Sequence, residues 1–144
     1  MIKLDEGYEQ DHQWLALVVR ENIMQKDYFR EKEFIFKAMC DGFDVTKKDD
    51  NMALFIAKVC MDAIDNLNTR KRHRYNAVWI MDYAEGIAKS EEVAGYIHKK
   101  AGEYLILARR PEKLSDRLED FWHKNWQTIV GFICLLIVVQ SIKK

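Results

Sequence analysis

Five consecutive residues, Arg70, Lys71, Arg72, His73 and Arg74, form the densest run of cationic charge in the chain. Four fixed cations in five positions repel one another and call for a counter-charge or full solvation. Set just ahead of a helix, they would add to the positive end of its dipole and its free N–H groups, a combination suited to phosphate, nucleotide, nucleic acid or an anionic lipid headgroup. Arg70, Lys71, Arg72 and Arg74 are therefore the candidate anion-binding residues. Tyr75 and Trp79 on the adjoining turn offer faces on which a base or guanidinium could stack. The bland alternative is a solvated turn. No aromatic ladder of the sort carried by RNA-binding sheets accompanies the run, which leaves no strong nucleic-acid signal.

The other chemically capable side chains form no catalytic pattern. His12, His73, His98 and His123 are far apart, and none belongs to a His-Glu-x-x-His or Cys-x-x-Cys arrangement that would preorganise zinc. Glu119 and His123 lie four apart on one helix face, the spacing of an ordinary solvated side-chain contact. Glu85, Glu91 and Glu92 lack the Glu-x-x-His repeats of a di-iron bundle. Cys40 and Cys60 have no histidine or cation beside them in sequence to lower a thiol pKa. No glycine-rich loop follows a strand, and no Gly-x-Ser-x-Gly elbow occurs. Asp41-Gly42-Phe43-Asp44, with Asp49 and Asp50 beyond, is acidic but lacks the alternating oxygen ligands and closing glutamate of a calcium loop. The expectation is a chain that is not an enzyme and holds no cofactor or metal.

The strongest positional signal lies elsewhere. Residues 128–139, TIVGFICLLIVV, form the only long uncharged apolar run. Trp122 and Trp126 precede it, and Lys143 and Lys144 follow, as an aromatic belt and a snorkelling end would mark two bilayer interfaces. From Trp126 to Ile142 the segment would measure about 25 Å as a helix, short of a bilayer core but within what thinning or flanking side chains absorb. Ile129, Phe132, Ile133 and Leu136, with their apolar neighbours, cover every face of that helix, whereas a helix docked on a soluble core keeps a polar stripe.

Charge then suggests an orientation. Arg109, Arg110, Lys113, Arg117 and Lys124 lie on the N-terminal side of the run, which predicts a cytoplasmic N-terminal part. The opening MIKLDEGYEQDHQW carries no basic, apolar and small-residue succession of a secretory signal. Cys40, Cys60 and Cys134, an odd set, suit a reducing compartment. Net charge is +0, yet residues 1–50 hold 12 acidic and 8 basic side chains, leaving the stretch nearer the apolar run basic.

One proline, six glycines and no period-two alternation predict an all-α chain. A first helix uses Leu15, Val18, Val19 and Ile23 and runs on, or re-forms, through Phe29, Phe36, Met39 and Cys40 to a stop at Gly42. Thr46 to Asp50 supply N-caps for a helix with Met52, Phe55, Ile56, Val59, Cys60, Ala63 and Leu67 inward. After a break at residues 66–69, another begins near Tyr75 with Ala77, Ile80, Met81, Ala84, Ile87 and Ala88. Ser90 caps a further one, with Val93, Tyr96, Ile97, Ala101, Tyr104, Leu105 and Ala108 inward and an end before Pro111. Pro111 suits the first turn of the last helix, where Leu114, Leu118, Phe121 and Trp122 lead without a breaker into the apolar run. The predicted architecture is a bundle of four to five helices at 1–110, an amphipathic juxtamembrane helix at 111–125 and a single transmembrane anchor at 126–142.

Two functional readings follow. In the first, a tail-anchored protein uses its cytosolic bundle as an oligomeric protein-interaction module, its partners being membrane lipid and either another protein or itself. In the second, the basic cluster binds an anionic signal and drives oligomerisation and membrane disruption. Gly131 and Cys134 are small enough to let two spans approach, a weak signal on its own.

Overall fold

A side-chain oxygen able to accept a free backbone N–H marks where a helix can begin, and Asp49 and Ser90 both fill that role. The computed structural model describes residues 2–25, 28–31, 33–43, 49–66, 69–112 and 114–143. In chain order the helices are α1 (Tyr8–Asp11), α2 (Gln13–Met24), α3 (Glu33–Phe43), α4 (Asp50–Asp65), α5 (Lys71–Ile87), α6 (Glu91–Ala108) and α7 (Leu114–Lys143), with a 3-10 turn at Phe29–Glu31 before α3. Among the described residues the chain is almost wholly helical and has no strand. Asp49 accepts from the Met52 N–H at 3.0 Å to open α4, and Ser90 accepts from the Val93 N–H at 3.2 Å to open α6. Thr46, Lys47, Lys48 and Leu67 lie outside the described residues.

The all-α prediction holds, with differences in count and boundary. The predicted first helix re-forms rather than runs on. Gln25 turns extended at the end of α2, and the 3-10 turn intervenes before α3. The short α1 was not anticipated, and Gly7 starts it with φ 81, the left-handed region where a Cβ would be strained. Gly42 falls inside α3, not beyond its end. The helix expected near Tyr75 starts four residues earlier, at Lys71, and Ala88 lies past its last turn. Pro111 precedes α7 instead of occupying its first turn.

Contacts divide the chain into two units, Met1–Pro111 and Glu112–Lys144. In the first, α4 and α5 form the centre: each packs on the other and on both α2 and α6, while α3 packs on α2 and the 3-10 turn on α5. The core draws on each of them, with Leu15, Val19 and Ile23 from α2, Phe55, Ile56 and Ile64 from α4, Ile80 and Met81 from α5, and Val93 and Ile97 from α6. Fully buried Ala53 and Ala57 on α4 and Ala77 and Ala84 on α5 keep the central helices slim, which permits close approach of backbones. Phe29, Phe36 and Tyr83 extend the core as successive edge-to-face rings at 5.3 and 5.1 Å, tying the 3-10 turn and α3 to α5.

One buried amide closes the corner after α2. Asn76, on α5 and fully buried, accepts from the Phe29 N–H at 2.6 Å and donates to the Ile23 carbonyl at 3.2 Å. It thereby satisfies a carbonyl in the last turn of α2 and a backbone donor of the 3-10 turn, both inside the core. Removing the amide strands both groups away from water. An Asn76→Ala variant should lose about 2–4 kcal/mol, read as an earlier midpoint when the chain in mild detergent is titrated with urea and followed by near-ultraviolet circular dichroism. An unchanged midpoint would show that the corner closes without it.

Candidate membrane anchor and anion site

The second unit consists essentially of α7, an unbroken helix of 30 residues, about 45 Å at 1.5 Å per residue. Its first three turns alternate an apolar stripe with Asp116, Arg117, Glu119, Asp120, His123 and Lys124, and from Thr128 onward no charge appears until Lys143. Residues Asp116–Lys143 reach a mean hydropathy of 1.7 over their most apolar window, long and apolar enough to cross a membrane, with none of that window buried. Of the predicted anchor residues, Trp122, Trp126, Phe132, Ile133 and Leu136 are each about half exposed or more, Ile129 is half-buried and Lys143 exposed. Lys144 lies outside the described residues. A protein sheath around this helix would have argued for a buried core element; none of its most apolar window is buried, and the apolar surface stands open.

The basic cluster is divided by the helix it starts. Arg70 takes the N-cap position of α5 with an extended backbone and no side-chain cap, and the first turn holds no acid. Lys71 and Arg72 follow at the helix start, half-buried and exposed respectively. His73 and Arg74 turn inward, at 8% and 1% exposure, so that Arg74 is the largest fully buried side chain among the described residues. Of the candidate anion-binding cations, Arg74 is therefore buried, while Lys71 and Arg72 lie nearer the surface. A 3.6-residue period carries position 74 onto the core face of α5 along with Ala77 and Met81. The positive end of the dipole meets Lys71 and Arg72 rather than the acids that helix starts favour.

A residue not assigned to this site strengthens that corner. Arg110, just past α6, donates through Nη2 to the Ile64 carbonyl and, at 3.1 Å, to the Asn66 carbonyl, while the Thr69 hydroxyl donates to the Ala63 carbonyl at 2.7 Å. These groups cap the carbonyls at the end of α4, where a cation also meets the negative dipole end. A sequence shows Arg110 only as a charge before a proline. The opposite corner is closed by Asp50, whose Oδ1 accepts from the Ser90 N–H at 3.0 Å and the Lys89 N–H at 2.8 Å, holding its carboxyl below the ordinary range.

Trp79 has a guanidinium against its face, but one belonging to the chain: Arg30 lies 5.2 Å from the ring centroid and 3.7 Å from Asp82. Tyr75 stacks on Trp79 at 6.1 Å and Tyr28 meets it edge-on at 5.6 Å. The aromatics proposed for ligand stacking are thus engaged with each other.

Along α2 and α4 runs an open trough. One end, about 430 Å³, is bordered by Glu9, Gln13, Leu17 and Lys58, and the other, about 360 Å³, by Met24, Ala63, Asn66 and Thr69; Arg20, Val59 and Asp62 belong to both. Leu17 and Met24 stand 59% and 58% exposed on α2, and the rim carries charges of both signs, Glu9 paired with Lys58 among them. Neither end pairs a nucleophile with a base. Cys40 and Cys60 are buried, and burial pushes the Cys60 thiol well above its ordinary range. His12 stacks on Tyr8, His98 meets Glu85 at 3.0 Å, and His123 meets Glu119 at 3.5 Å on exposed helix surface, each histidine at a separate place. Among the described residues no three His, Cys, Asp or Glu side chains gather as a metal would require.

No protein-family model, curated protein or solved structure matches the chain. Function has to be argued from the surface that α7, the trough and the α5 corner present. The burial pattern makes one distinction measurable. Arg74→Ala should cost about 2 kcal/mol or more through lost packing, whereas Arg72→Ala should stay within about 0.5 kcal/mol of the parent. Denaturant titration of the two variants checks this, and equal effects would mean that Arg74 is not part of the core.

Proposed function

We propose that this protein is anchored in a membrane by α7 and presents its helical bundle, on the cytoplasmic side, as a docking module for a protein partner. The observation that carries the reading is the open apolar surface of Asp116–Lys143, a candidate span with none of its most apolar window buried. A helix apolar on all faces is unstable in water and stable in hydrocarbon, where its backbone groups already bond within the helix. Arg109, Arg110, Arg117 and Lys124 on the bundle side favour retention of that side in the cytoplasm. The trough between α2 and α4, rimmed by Leu17 and Met24 and by charges of both signs, supports docking of an amphipathic segment with complementary charge.

The alternative, an effector gated by an anion at the α5 corner, rests on fewer groups now that Arg74 packs in the core. Lys71, Arg72 and the N-cap Arg70 would have to carry it.

Alkaline washing of membranes separates anchored from peripheral protein. The full chain should remain with the membrane, and a version ending at Asn125 should appear in the soluble fraction; release of both would overturn the anchor. Reconstituted into vesicles loaded with dye, the full chain should retain the dye with or without added inorganic phosphate or nucleoside triphosphate. Anion-dependent leakage that disappears in Lys71→Gln/Arg72→Gln would replace the docking reading with the gated one.

A further inference from the structure

We infer that α7 pairs with α7 of a second copy as a parallel, in-register helical dimer whose seam starts outside the membrane and continues through it. This rests on the membrane-anchored reading. The evidence is the register of the helix. Leu114, Leu118, Phe121 and Asn125 follow one another at intervals of four, three and four, the spacing of a heptad seam, and Thr128, Phe132, Leu135, Val139 and Ile142 continue it without a slip. The helix is unbroken from Leu114 to Lys143, so the stripe from Leu114 to Ile142 covers four heptad repeats.

The juxtamembrane half sets the register. In that half the remaining faces carry Asp116, Arg117, Glu119, Asp120, His123 and Lys124, so only one side can pair without burying charge. Leu114, Leu118 and Phe121 on that side are 68%, 58% and 58% exposed. Two heptads make a marginal coiled coil in water. Four, half of them held at fixed depth in a bilayer, give a seam long enough to persist, in the left-handed packing common to membrane helices.

Charge selects the parallel arrangement and a second copy as the occupant. Arg117 and Lys124 fall at g, beside the seam, and Trp122 and Ile129 at e. A parallel pair sets g of one helix against e of the other, so Arg117 reaches Trp122 of the second copy and its guanidinium can lie on the indole face. An antiparallel pair would oppose g to g, cation against cation. Membrane insertion imposes the same choice, since copies with one topology point the same way. Asn125 sits at an a position, half-buried even in the single helix, and its Nδ2 donates to its own Phe121 carbonyl at 2.9 Å. Its amide oxygen would then accept from Asn125 of the second copy, the arrangement by which a single polar a residue fixes register and favours two strands.

Cysteine scanning in isolated membranes tests this. In a Cys134→Ala background, Leu118→Cys and Phe121→Cys are compared under mild oxidation with Asp116→Cys and His123→Cys on the far face, and alkaline washing is run in parallel. Several-fold more disulfide-linked dimer at positions 118 and 121 supports the seam, as does Asn125→Ala weakening dimerisation in detergent by about tenfold, the scale of an interhelical amide hydrogen bond. Equal cross-linking at all four positions, or none, in protein that still resists alkaline washing would overturn the dimer and leave the anchor standing. Protein released by the wash would remove both.

Discussion

Apolar surface has to leave water, and the two units of this chain meet that demand differently. In Met1–Pro111 it is met internally: α4 and α5 each contact α2 and α6, and Leu15, Ile56, Ile64, Ile80 and Ile97 are fully withdrawn from solvent. In Glu112–Lys144 the apolar side chains of α7 stand exposed. Phe132, Leu135 and Ile137 stand 61%, 58% and 58% exposed. At about 25 cal/mol per Å² of apolar area, a dozen such side chains in water would be a large destabilisation. Under the proposed anchoring, lipid and a second α7 would take that surface out of water.

Inside the bundle, polar side chains decide where the helices end and turn. Asn76 reaches back across the core to hold the last turn of α2 and the 3-10 turn after it. Asp50, at the start of α4, holds the junction of α5 and α6, and Arg110, after α6, holds the end of α4. Each device links elements far apart in sequence, so the helix order is enforced at the helix termini, where unpaired N–H and carbonyl groups would otherwise be left inside. The Tyr104 hydroxyl adds a similar tie from α6 to Asp65 at the end of α4, and burial together with that carboxylate pushes its pKa up to about 12.

The same economy bears on the basic run. Its charges are consecutive, but helical geometry turns consecutive residues by about 100° each. Lys71 and Arg72 keep to the outer side, while His73 and Arg74 are carried into the core, and the corner regains positive charge from Arg110, distant in sequence. Trp79 shows a similar displacement of expectation: its face was offered to a ligand and is occupied by Arg30.

Local chemistry alone determined the helical class, the caps at Asp49 and Ser90, the span of α6 and the unbroken α7 with its apolar end. Each of these depends on residues within a turn or two of one another, and periodicity and capping are properties of neighbours. The split between α2 and α3, the burial of Arg74, the Asn76 clamp, the Arg110 cap and the trough on α2 and α4 were decided only when the helices packed. Every one joins positions tens of residues apart, and such pairings are set by which helix faces meet rather than by the pattern along any single helix.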